Sequence, residues 1–265
     1  MDGTGTIPMA REVRVAADAA ALSRLAAEFV VRAAQEAIGE RGRVAIALAG
    51  GSTPRALYER LAEEPARSRM PWARVHVFWG DERCVPPTQP ESNCRLAHEA
   101  LLSRVPIPAS NIHPVPVEGA EPAAAAQAYE ETLREWFRIA RGAVPVFDLL
   151  LLGLGADGHT AALFPGTPAT REASRLVIET RGGRPDVARV TLTVPVLNRA
   201  RRILWLVTGA GKASIVRRVL EDVPPGAQPL PAQLVQPVDG AAVWWLDRDA
   251  AAELPAALMA APRED

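Results

Sequence analysis

The chain has 265 residues, of which 48% are hydrophobic and 23% charged, and a formal net charge of -1. That length buries a large core without staples, and the near-neutral balance excludes a broad basic field for nucleic acid or an anionic membrane. Two cysteines, Cys84 and Cys94, make neither a disulfide framework nor a CxxC metal site, so no metal ligation is expected.

The opening MDGTGTIPMAREVRV has no apolar signal core, and no run approaches the ~18 apolar residues of a membrane helix, so a cytoplasmic protein is expected. Leu22, Leu25, Ala26, Phe29, Val30 and Ala33 recur at helical spacing and predict a helix from Asp18 to Ile38, ending near Gly39. RVAIALAGGSTP predicts a short strand, a glycine turn, and a helix with Pro54 at its first position. ARVHVFWGDER predicts a strand running into a polar loop, and a helix from about Glu91 to Leu102 follows, capped by PESN. Another helix covers roughly Pro122 to Ala140.

VFDLLLLGLGADGH predicts a third strand and turn, and RVTLTVPVL a fourth strand stopped by proline. RILWLVTGAGKASIVRRVLE predicts a fifth strand, a glycine turn and a helix; AAVWWLD predicts a last strand. Pro224–Pro231 connects these last two units, and residues 1–10 and 256–265 are expected to fray. Strands alternating with helices, several of them solidly apolar, predict a single α/β domain over residues 1–265, with a mainly parallel sheet and helices on both faces. Ligands of such sheets bind beyond the carboxyl ends of the strands. The turns at Gly50–Thr53, Asp81–Arg83, Asp157–His159 and Gly209–Lys212 should therefore gather along one edge.

Gly153, Gly155 and Gly158 fit G-x-G-x-x-G after a strand, with Glu179 downstream as a ribose carboxylate. Pro165 and Gly166 arrive too soon for the long helix a dinucleotide needs. Asp157 beside His159 at a sheet edge suits acid/base chemistry better, with the carboxylate orienting the base. His76, His98 and His113 read as packed residues. GGSTP offers N–H groups, two hydroxyls and a helix start, the parts of a phosphate cradle, although Ser52 or Thr53 could simply cap the helix. TGAGKAS lacks the leading glycine of a P-loop, and Ala213 stands where that motif needs a Mg-binding hydroxyl. Lys212 is still a point charge for a phosphate, and it is the chain's only lysine. In GDER, Asp81 is read as ordering the site and Arg83 as meeting an anion.

LAGGSTPRALYERL, VHVFWGDERCVPPTQPESNCRLAHEALL, FDLLLLGLGADGHTAALFPGTPA, RVTLTVPVLNRAR and VTGAGKASIVRRVL together resemble the 6-phosphogluconolactonase family, in matching order from about Val13 to Leu246. The resemblance implies a fold similar to glucosamine-6-phosphate deaminase and ribose-5-phosphate isomerase. It implies hydrolysis of 6-phospho-D-glucono-1,5-lactone to 6-phospho-D-gluconate, the second step of the oxidative pentose phosphate pathway, without metal or organic cofactor. It also implies His159 as the base that activates water with Asp157 beside it, Asp81 and Arg83 as site residues, and Gly50, Gly51, Ser52, Thr53 and Lys212 as phosphate contacts. Arg189, just before TLT, is carried over as a further substrate contact.

A lactone is an activated ester, so a water nucleophile, an oxyanion site and a fixed pose suffice. Arg83 or glycine-turn N–H groups would stabilise the oxyanion. Two rivals share the cradle. An amino-sugar-phosphate deaminase or isomerase would carry a NEP-type segment after DGH, where this chain has TAALFPG. A non-catalytic sugar-phosphate sensor would carry a DNA-binding module, for which the predicted helix over residues 17–38 leaves no room. The expected partner is a small sugar-phosphate lactone, with no nucleic acid and no membrane; a monomer is compatible with the sequence.

Overall fold

A computed structural model describes residues 11–258. In chain order these form β1 (Arg11–Ala16), α1 (Ala19–Arg41), β2 (Val44–Leu48), α2 (Ser52–Leu61), α3 (Ala66–Arg69), β3 (Val75–Trp79), β4 (Asp81–Arg83), α4 (Asn93–Ala100), α5 (Pro122–Phe137) and β5 (Leu149–Leu152). There follow β6 (Val177–Gly182), β7 (Val187–Leu192), α6 (Val194–Leu197), β8 (Arg202–Val207), α7 (Ala213–Leu220), α8 (Pro231–Leu234) and β9 (Ala241–Asp247). Of the tail expected to fray, Ala256–Leu258 makes a short 3-10 turn with Leu258 against the core, and the remainder lies outside the described residues, as do residues 1–10.

Six strands make an all-parallel sheet in the order β1-β9-β8-β5-β2-β3. The interior strands β2 and β5 are buried at every position, which is why VAIAL and LLLL are unbroken apolar runs rather than alternating ones. In register, Ile46 faces Leu149, and Leu150 faces Ile203. From β2 the chain passes to β3 on one side, and from β5 it passes eventually to β8 on the other. The divergence opens a crevice at the carboxyl ends of β2 and β5, where α/β sheets hold ligands.

Several elements differ from the sequence expectation. The DER segment is a strand, not a loop: β4 pairs antiparallel with β7, and β7 with β6, in a separate sheet of order β4-β7-β6. The RVTL strand therefore belongs to this small sheet rather than the parallel one. β6 escapes a periodicity reading because VIETRG is half polar. β1 escapes it because REVRVA carries three charges; it is an edge strand paired only with β9. Helix α1 is capped by Asp18, whose side chain accepts from the Ala21 N–H at 2.7 Å, and it runs through Gly39. It stops at Gly42, whose left-handed φ of 74° suits a glycine.

Candidate active site

The cradle is built on the carboxyl end of β2. Tyr58, fully buried on α2, donates its hydroxyl to the Ala49 carbonyl at 2.7 Å and accepts from the Ala49 N–H at 2.9 Å. That clamp fixes the chain just before Gly50 and Gly51. Gly51 has φ of 105°, a conformation glycine adopts without strain. Helix α2 begins at Ser52, so Pro54 sits third rather than first, where its missing N–H still costs nothing. No side chain caps this helix. Among the described residues, the N–H groups of Gly51, Ser52 and Thr53 have no acceptor, and they mark the positive end of the helix. The Thr53 hydroxyl is engaged at 2.8 Å with that of Thr208, which follows β8.

The strand period of two divides the DER triplet. Glu82 turns away from the cavity and accepts from the N–H groups of Arg83, Asn93 and Cys94 at 2.7–2.8 Å and from the Ser92 hydroxyl at 3.2 Å. It anchors the amino end of α4; burial pushes its carboxyl up, and those N–H groups oppose the shift. Asp81 and Arg83 face the cavity. Tyr129 on α5 clamps the backbone N–H and carbonyl of Trp79, at 2.8 and 3.1 Å, just before Gly80 and Asp81. Arg83 Nη1 donates to the Glu91 carbonyl at 2.6 Å. Across the strand pair Arg189 stands opposite Arg83, with its Nη1 3.8 Å from Asp81 Oδ2 and its Nε donating to the Gly182 carbonyl. Burial raises the Asp81 carboxyl, against the opposing charges of Arg83, Arg189 and His159.

The third wall is the turn after β5. His159 Nδ1 lies 2.5 Å from Asp157 Oδ1, and the same carboxylate oxygen accepts from the His159 N–H at 3.1 Å. Burial draws the Asp157 carboxyl up, but its bonds to His159 outweigh that and hold it below its ordinary value. Gly155 leaves room for the ring: a Cβ would stand 2.0 Å from His159 Nδ1, so any side chain there must displace it. Phe164 supports the imidazole at a centroid distance of 4.8 Å. No long helix follows, consistent with setting the dinucleotide reading aside. Lys212 Nζ, just before α7, donates to the Leu154 carbonyl at 2.8 Å, leaving hydrogens free for a ligand. Burial lowers its pKa, with Asp157 opposing.

These walls enclose a cavity of about 210 Å³. Of the residues predicted from sequence, Gly50, Gly51, Asp81, Arg83, His159, Arg189 and Lys212 line it. Ser52, Thr53 and Asp157 are not among the lining residues. Sequence reasoning missed Asn93 and the two clamping tyrosines, and it singled out Gly155 only as part of a dinucleotide pattern. Asn93 was visible only as part of a capping stretch. The tyrosines' sole signal is that they are the chain's only two. The other histidines lie apart from the cavity lining: His76 and His113 stack with Phe78 and Trp136, and His98 is on α4. Cys94 is half-buried, its thiol pushed up to about 11 by burial and by Glu82.

The family model for glucosamine-6-phosphate isomerases and 6-phosphogluconolactonase matches residues 17–244. A 6-phosphogluconolactonase from Synechocystis is 44% identical over 93% of this chain and 99% of its own. The solved 6-phosphogluconolactonase from Trypanosoma cruzi superposes with a TM-score of 0.82 at 31% identity, covering 94% of this chain and 98% of that one. A monomeric glucosamine-6-phosphate deaminase shares the fold, with a TM-score of 0.76 at 20% identity over 91% of this chain and 99% of its own.

Proposed function

The chain belongs to the glucosamine-6-phosphate isomerase/6-phosphogluconolactonase family, and we infer from that membership and from its cavity that it hydrolyses 6-phospho-D-glucono-1,5-lactone to 6-phospho-D-gluconate. That is a carboxylic ester hydrolysis, and the activity places the enzyme at the second step of the oxidative pentose phosphate pathway. The observation that carries the reading is one cavity holding both a carboxylate-oriented imidazole and a glycine-rich helix start with a lysine.

Asp157 accepts a hydrogen bond from the Nδ1–H of His159, which leaves Nε2 as an acceptor. A water gives its proton to Nε2 as its oxygen bonds to C1 of the lactone. The carbonyl oxygen becomes an oxyanion, stabilised by Arg83 or by glycine-turn N–H groups. When the tetrahedral species collapses, the bond from C1 to the ring oxygen breaks, and that oxygen recovers the proton from Nε2. General-base help of this kind contributes roughly 10²–10⁴-fold. Gly50, Gly51, Ser52, Thr53 and Lys212 hold the phosphate, and Arg189 supports the anionic side. Binding energy at the phosphate, remote from C1, fixes the reacting pose. His159 carries one proton of the water to the ring oxygen and the other leaves from the new carboxyl group on ionisation, so the route needs neither metal nor organic cofactor.

The net charge of -1 supports a chain that binds no nucleic acid, and among the described residues no helix is long and apolar enough to cross a membrane. A cytoplasmic monomer with a single domain over residues 1–265 fits these features and the one continuous core. The test is lactone opening. The lactone is generated in situ from glucose 6-phosphate, and 6-phosphogluconate is followed above the spontaneous rate. The parent should accelerate opening, and His159→Ala should lose roughly 10²–10⁴-fold in kcat with the fold intact. A variant within a few-fold of the parent would remove His159 as the base. Ammonia release from glucosamine 6-phosphate in place of lactone opening would replace the activity itself.

A further inference from the structure

One corner of the cavity holds more acceptor capacity than its protein donors use. Asp81 is only 7% exposed. Its carboxylate has the Asn93 side chain as a donor and the Arg189 guanidinium stands off at 3.8 Å, so lone pairs remain for a ligand. Beside it Asn93, 1% exposed, donates Nδ2 to the Asp81 backbone carbonyl at 2.8 Å. Its Oδ1 has no partner. Turning the amide over would set two oxygens against each other, so that bond fixes which end is the acceptor. Oδ1 lies against the cradle, 1.9 Å from where a Gly50 Cβ would stand.

Buried acceptors without donors are costly, and a ligand that brings donors removes the cost. A phosphate dianion brings only acceptors, which neither the Asp81 carboxylate nor Asn93 Oδ1 can use. A sugar hydroxyl brings an O–H. Building on the sugar-phosphate lactone reading, we propose that Asp81 is the specificity-determining contact for the sugar, accepting a hydrogen bond from at least one ring hydroxyl while Asn93 and Arg189 position it. The assignment also fixes which way round the substrate enters. Its phosphate goes to the free N–H groups of α2 and to Lys212, its hydroxyl edge to Asp81, and C1 to His159.

The experiment compares the 6-phosphorylated lactone with its 2-, 3- and 4-deoxy forms, using the full chain and the Asp81→Ala and Asp81→Asn variants. Circular dichroism and melting check the fold of each. On at least one deoxy lactone the parent should lose about 10–100-fold in kcat/KM, the worth of a hydrogen bond to a charged group. Asp81→Ala should shrink that loss to within about 3-fold, because the contact is already gone; Asp81→Asn, retaining one acceptor oxygen, should fall between, and it carries the test if the alanine variant does not fold. A variant that keeps the parent's loss on every deoxy lactone overturns the proposal, and so does a parent that does not discriminate among them. If the parent opens none of these lactones, the lactonase reading fails separately. Calorimetric titration with 6-phosphogluconate and its deoxy forms then puts the same question to Asp81, with the same supporting and overturning patterns.

Discussion

A single methyl group on Gly155 tests how the proposed base is held. Its Cβ would stand 2.0 Å from His159 Nδ1, 2.2 Å from Cε1 and 2.7 Å from Asp157 Oδ1. Ordinary contact begins at 3.4 Å, so the ring must retreat by roughly 1.4 Å and the carboxylate by roughly 0.7 Å. The Gly155 backbone is outside the left-handed region, so alanine itself adds no dihedral strain there. A displacement of about 1 Å from the reacting geometry costs on the order of 10²-fold, and full loss of a general base up to about 10⁴-fold. Gly155→Ala is therefore expected to lower kcat by about 10²–10³-fold, a barrier increase of roughly 2.7–4.1 kcal/mol. KM should move by less than about 3-fold, since the phosphate contacts lie on other loops. Overpacking of this kind destabilises by about 1–3 kcal/mol, which a melt detects without loss of the fold. The coupled lactone assay gives both constants. A kcat within about 3-fold of the parent, in a folded protein, would refute the placement of His159 as a base fixed over Gly155.

Gly39→Ala, in the exposed last turn of α1 with nothing within 4 Å of the new Cβ, should stabilise by about 0.5–1 kcal/mol. Gly42→Ala, at φ of 74°, should destabilise by about 1 kcal/mol; urea titrations giving the same sign for both would contradict the helix end. Lys212→Met should raise KM about 10-fold or more with a smaller change in kcat, and an unchanged KM would remove the lysine from the phosphate site. His76 is lowered to about 4 by burial and by the charges of His113 and Arg43. The unfolded chain thus takes up a proton near ~6.5 that the folded chain refuses until about 4, so this contribution is full above ~6.5 and is lost as pH falls toward 4. Denaturation at pH 7.5 and pH 5 should show that loss in the parent and less of it in His76→Phe; equal losses would discount the group.

The parallel sheet was legible because β2, β5, β8 and β9 are buried on both faces and carry uninterrupted apolar runs. The small sheet was not. Its strands β4 and β6 carry carboxylates and arginines, two of the carboxylates buried, and DER and VIETRG read as polar segments on any local scale. Gly39 and Gly42 look alike in sequence as helix terminators, but only Gly42 supplies the left-handed turn. Within the site, His159, Asp157 and the glycines announced themselves by polar chemistry immediately after a strand. Asn93 did not, because its role depends on Gly50 and Asp81, 43 and 12 positions away in sequence. Burial decided a further point that sequence left open: Glu82, indistinguishable from Asp81 in the motif, faces the amino end of α4 instead of the cavity.

The two tyrosines have a consequence for amide hydrogen exchange. Tyr58 closes both backbone groups of Ala49, and Tyr129 both of Trp79, inside the core. The Ala49 and Trp79 amides should therefore exchange only when the whole core opens. Two residues beyond Ala49, the Gly51 amide has no acceptor and is exposed. The boundary between the slowest and the fastest amides thus falls inside a tripeptide, at the lip of the cavity. Phenylalanine at Tyr58 fills nearly the same volume, yet it would move that boundary back into the strand.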